Sequence, residues 1–261
     1  MTMPRHPIFV AMFGNRGCAR RNNLAIVLIS CIFSSFLLHG CVGYQPASSL
    51  KINQSLPRAS LSDAAKVKDA LGYCPPNLIG VVAKSCNNDP VAIKVYPLGG
   101  GAKRRRSKAE AEFTPFPTLY WLCCPRLKVA IGELERQGTV KLLSARLEAD
   151  PSSLAQMEAC HADYARDRWS TLTDSDRELL LGEDRMQRFV GSLRDTGVAG
   201  IDWRKHGAFT VKCLHTHYAH FRAGSDQNAG TDERNIERKM SQNIIGQWVH
   251  EMLLESSFEH F

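Results

Sequence analysis

The sequence predicts an α+β fold, a small sheet of about three strands covered by five to seven helices, with a mainly helical C-terminal part. Three observations carry this expectation. Two short β-branched runs flank a cluster of turn residues, a third aromatic run is stopped by a proline, and helical periodicity follows through most of what remains.

In chain order, Ile79–Ala83 and Val91–Tyr96 are the β-branched runs, and Asn87-Asn88-Asp89-Pro90 between them predicts a hairpin turn. Phe116–Cys124 is apolar and aromatic enough to be the third strand, and Pro125 ends it. Pro125 also suits the first position of a helix, where its missing N–H costs nothing. Leu127, Ala130, Ile131 and Leu134 then recur at helical spacing up to Gly138. Val140–Glu148 continues the pattern, and Asp150-Pro151 caps a longer helix running to about Trp169. Asp174–Leu181 and Arg185–Leu193 are shorter segments, and Thr210–Phe221 and Ile244–Leu254 close the series.

The first seventy residues read differently. Leu24–Leu38 is fifteen residues without a charge, preceded by Arg20-Arg21. As a helix it would reach about 22 Å, short of a hydrocarbon core of roughly 30 Å. Length and basic flank suit a signal peptide, and residues 44–68, rich in Ser and Ala and nearly free of acid, have the composition of a transit peptide. Residues 1–70 are thus expected to be a targeting leader, and residues 71–261 a single globular domain. The address is the secretory route or a plastid. Retained instead as an anchor, residues 22–44 would supply the protein's membrane contact, and Gly40-Cys41 admits a third reading as a lipoprotein box.

The formal net charge of +7 belongs to this leader. No acidic residue precedes Asp63, while Arg5, Arg16, Arg20, Arg21, Lys51 and Arg58 are basic, leaving 27 of the 33 basic residues against all 26 acidic ones. A nearly balanced body argues against a nucleic-acid partner. The patch from Gly99 to Lys108 holds glycines and basic residues but lacks the Gly-Lys-Ser/Thr ending of a phosphate-binding loop. It reads as a solvated loop.

Six cysteines remain in the body: Cys74, Cys86, Cys123, Cys124, Cys160 and Cys213. Their wide, irregular spacing favours free thiols or a metal site over a disulfide scaffold. The densest chemistry follows Thr210, which is expected to cap a helix beginning at Val211. Within it, Cys213, His217 and His220 fall at i, i+4 and i+7, on a stripe turned roughly 110° from the apolar one of Val211, Leu214, Tyr218 and Phe221. A thiolate and two imidazoles on one face suit zinc, with Cys124, Cys123 or Cys86 as a fourth ligand. A second reading is an anionic ligand, bound by Arg204, Lys212 and His215 near the same helix start.

Four stretches together resemble the domain of unknown function 501 family: Phe116–Pro125, Gly197–Ile201, Val211–His220 and Asn243–Val249. The resemblance spans about Ile79 to Leu254, and Lys212-Cys213-Leu214-His215 is its most distinctive part. It implies family thiols at Cys86, Cys124 and Cys213, occurrence in bacteria and photosynthetic eukaryotes, and no particular activity. Two classes of function remain. One is a protein binding a metal or a small, phosphate-bearing molecule through the Cys/His/Lys motif; the other is an interaction or scaffold protein whose motif only organises the core. No reaction is legible.

Overall fold

The computed structural model describes residues 59–99, 115–227 and 242–256. The apolar segment 24–38, residues 22–44 and most of the Gly/Arg patch lie outside them. Among the described residues, no helix is long and apolar enough to cross a membrane.

Three antiparallel strands form a sheet in the order β1 (Leu78–Lys84), β2 (Pro90–Val95), β3 (Tyr120–Leu122). The β1–β2 hairpin turns through residues 85–89, where Ser85 N–H donates to the Asp89 carbonyl and Asn88 takes a left-handed φ of 60°. Asparagine tolerates that conformation through its short polar side chain. Strand β2 is central and almost wholly buried, and the alternation of its side chains splits the core. Ile93 and Val95 pack on one side with Val67 and Cys123, and Ala92 belongs to the large cluster on the other. The third strand is shorter than expected. Residues before Tyr120 make other bonds: Phe116 N–H donates to the Pro97 carbonyl, and Leu119 N–H to the Tyr164 hydroxyl at 2.7 Å.

Nine α-helices accompany the sheet among the described residues. The first, α1 (Leu61–Leu71), was not foreseen and falls partly in the transit-like stretch. Ser60 caps its start, Gly72 ends it in the left-handed conformation, and Val67 is fully buried against the outer face of the sheet. Next come α2 (Pro125–Arg136), α3 (Thr139–Ala149), α4 (Pro151–Thr171), α5 (Asp174–Gly182) and α6 (Asp184–Arg194), close to the sequence expectation. A 3-10 turn (Val198–Gly200) and the short α7 (Trp203–His206) lead to α8 (Leu214–Gln227) and α9 (Ile244–Glu255). Helix α8 packs on all three strands and on α9 and α2, so it lies at the centre of the inner layer.

Arg168, from α4, ties the layers together. It is fully buried and donates to the carbonyls of Leu193 at 2.6 Å, of Pro117 at 2.9 Å and of Thr196. Burial lowers its pKa somewhat, yet three carbonyl partners satisfy the guanidinium without a carboxylate.

Candidate functional site

Helix α8 begins at Leu214, not after Thr210. The Thr210 hydroxyl donates to the His206 carbonyl and Val211 N–H to the Ser144 hydroxyl, so residues 210–213 are bonded to other elements before the helix starts. Cys213 therefore occupies the position just ahead of the first turn, and its carbonyl accepts from His217 N–H. Residues two apart inside a helix face away from each other. Outside the helix, Cys213 is free to meet His215.

Glu135 completes the group. Donor atoms of Glu135, Cys213 and His215, all half-buried, lie within 4.8 Å of one another, and no other such group of three occurs among the described residues. Glu135 Oε1 accepts from Leu214 N–H at 2.7 Å, satisfying one of the orphan donors of the helix start, and lies 3.2 Å from His215 Nδ1. The other ring nitrogen, Nε2, donates to the Lys128 carbonyl at 2.9 Å. Burial alone would raise the Cys213 thiol, but the neighbouring His215 and the Thr216 hydroxyl and N–H hold it below its ordinary value. The same thiol, with burial opposing and Lys128 and Glu135 assisting, brings His215 up to about 9. At neutral pH the metal-free site thus holds an imidazolium beside a thiol whose ionisation it favours.

The remaining predicted residues lie elsewhere. His217 and His220 are buried deep in the core with His161 and Cys160. His217 Nδ1 donates to Asn243 Oδ1 at 3.2 Å, and Asn243 Nδ2 donates to His220 Nδ1 at 3.2 Å, so one amide fixes both rings. Val198 N–H donates to His161 Nδ1 at 3.1 Å. The Nε2 atoms of His161 and His217 have no hydrogen-bond partner among the described residues. Burial pulls His161 down to about 3, and His217 and His220 to about 4, so all three are neutral imidazoles.

Cys124 directly precedes α2 and is half-buried, but it does not join Cys213. Cys123 is sealed under α1, where burial pushes its thiol up to about 11, and Cys86 is exposed in the hairpin turn. The four-ligand set of Cys124, Cys213, His217 and His220 is therefore not assembled. Arg204 is exposed, stacks over Trp203 at 4.3 Å and donates to the Asp195 carbonyl. Lys212 is exposed beside Cys213.

Sequence reasoning missed Glu135, Asn243 and the two glycines that let the helices close. A Cβ on Gly246 would lie 2.6 Å from the His217 carbonyl oxygen, and one on Gly197 would run into the His161 ring. Asn243 and both glycines sit in stretches that carry the family resemblance, but their spacing discloses no partner.

Residues 82–233, more than half of the chain, match the model of a family described as a protein of unknown function, DUF501. No curated protein and no solved structure matches the chain.

Proposed function

The chain belongs to the DUF501 family of proteins of unknown function, and from that premise we propose that it binds a divalent metal, zinc by preference, through Glu135, Cys213 and His215. The observation that carries the reading is the convergence of a thiol, an imidazole and a carboxylate within 4.8 Å. Zinc accepts sulfur, nitrogen and oxygen ligands at tetrahedral sites. The bond from His215 Nε2 to the Lys128 carbonyl supports the same reading. A ligating histidine commonly donates its second N–H to such an acceptor, which fixes the tautomer and leaves the other nitrogen free for the metal. Here that nitrogen is Nδ1, which faces Glu135.

Three protein ligands are the number found where a fourth position stays open for water or a small molecule. A ligand carried there would meet the exposed Lys212, which favours an anionic or phosphate-bearing molecule. Metal uptake displaces the proton on His215 and any on Cys213, so binding weakens as pH falls.

Plasma mass spectrometry of the purified full chain tests the proposal. One zinc per chain is expected, lost in Cys213→Ala and His215→Ala and kept in Cys124→Ala. Wild-type protein that neither carries nor takes up zinc, with a Cys213→Ala variant that is merely less stable, would leave Glu135 and His215 as helix-capping groups and end the metal reading.

A further inference from the structure

Toward the other end of α8, Arg222 is a buried cation with an incomplete set of partners. It is 8% exposed. Its Nη2 donates to the Lys84 carbonyl at 3.3 Å, while Nη1 is buried with no hydrogen-bond partner among the described residues. None of the ion pairs among the described residues involves Arg222. Arg168 shows what a satisfied buried guanidinium looks like in this fold, with three carbonyls around it. Arg222 has one.

A guanidinium does not escape burial by losing its proton. An unpaired buried charge costs several kcal/mol in general, and what relieves it is a counter-charge. The surroundings can receive one. Tyr218, one turn earlier on α8, places its hydroxyl 3.3 Å from His250 Nδ1 on α9. The His250 ring packs against Phe221 at 5.6 Å and is itself half-buried. Burial first and the Arg222 charge second lower the His250 pKa, against the opposing charge of Glu251, so the ring lies within electrostatic reach of the guanidinium. Cys124, immediately ahead of α2, interacts electrostatically with Tyr218, so the start of that helix is close by and its Cys124 side chain makes no capping bond.

We propose that Arg222, Tyr218 and His250 form a binding site for a small oxyanion, the phosphate or carboxylate group of a ligand. The planar guanidinium offers paired N–H donors that match such a group, and the phenol and imidazole add one donor each. Nine residues separate Arg222 from Cys213, about 13 Å along the helix axis, so this site is distinct from the Glu135–Cys213–His215 group.

Thermal unfolding of the full chain, without added metal, tests the assignment. Inorganic phosphate, and in a parallel series acetate, are compared with sodium chloride at equal ionic strength. The unfolding midpoint is expected to rise with the logarithm of phosphate or acetate concentration and not with chloride. Which of the two acts at lower concentration identifies the preferred group. In Arg222→Met the response should vanish, while the midpoint in chloride stays at or above that of the wild type because the unpaired charge is gone. Should that variant fail to fold, His250→Gln is expected to weaken phosphate or acetate binding at least fivefold. The proposal is overturned if neither oxyanion outperforms chloride on the wild type. An undiminished response in Arg222→Met, or unchanged affinity in His250→Gln, overturns it equally.

Discussion

A single methyl group is enough to probe how tightly α8 and α9 close around the buried histidines. At Gly246 it would meet Phe221 and the backbone of His217, and backbone does not move aside as a flexible side chain does. Gly246→Ala is therefore expected to lose about 1–3 kcal/mol, the usual cost of overpacking, measurable as a lower midpoint in urea. An unchanged midpoint would mean that the two helices separate more easily than their packing implies. Other residue-level features were visible in advance. Cys213 and His215 were recognisable by type and by their place near a helix start, but their pairing was not. It depends on α8 beginning at Leu214, and that depends on bonds from Thr210 and Val211 to His206 and Ser144. Glu135 carried no signal at all, because its partners lie some eighty positions along the chain. Helical spacing did group Cys213, His217 and His220, yet a shared stripe says nothing of depth, and the two histidines face a packed interior.

At the level of elements, most boundaries followed from punctuation: Pro125, Gly138 and Asp150-Pro151 all start or stop helices where the sequence placed them. The exception is α1. Its Ala, Lys and Ser content is that of a transit peptide and equally that of a helix with a polar face, so composition alone does not separate the two. The informative residue was Asp63, the first acidic one in the chain. It lies in the first turn of α1, donates its backbone N–H to the capping Ser60 hydroxyl and pairs with Lys84 of β1 at 3.0 Å, which holds its carboxyl below the usual range. The change in charge pattern thus coincides with the first turn of α1, the first element among the described residues. A chain begun at Gly72 lacks the cover over Ile93, Val95 and Cys123. Burial of Val67 alone corresponds to about 1.5–3 kcal/mol. A chain begun at Ala59 should accordingly unfold at higher urea concentration than one begun at Gly72, and coincident midpoints would show that α1 contributes nothing to the core.

Across the whole molecule, the buried histidines couple the fold to pH. His161 lies against Trp203, His217 and His220, with the backbone of Val198 and Ala208 beside it. His220 is enclosed by Tyr120, Tyr164, Cys160 and Asn243, within the electrostatic reach of Asp163, Asp167, Lys94 and His217. Folded-state pKa values of about 3 and about 4 lie below the unfolded value near 6.5, so the folded state favours the neutral rings. Their contribution is complete above pH about 6.5 and is lost as pH falls toward the folded values, because the unfolded chain binds the protons first. Each ring then removes about 1.4 kcal/mol per pH unit, and with His217, likewise held at about 4, the three together about 4. Two units of acidification would consume roughly 8 kcal/mol, comparable with the whole stability of an ordinary domain. Cooperative acid unfolding is expected between about pH 4 and 5, before most paired carboxylates, such as Asp63 and Asp150, lose their charge. The measurement is urea unfolding as a function of pH, and the slope is read, not the absolute stability, because substitution of a core histidine lowers the latter anyway. In His161→Gln one titrating ring is gone, so stability should fall with acid by about 1.4 kcal/mol less per pH unit than in the wild type. A slope that does not change would place the acid sensitivity elsewhere and show that His161 accepts a proton in the folded state as readily as in the unfolded one.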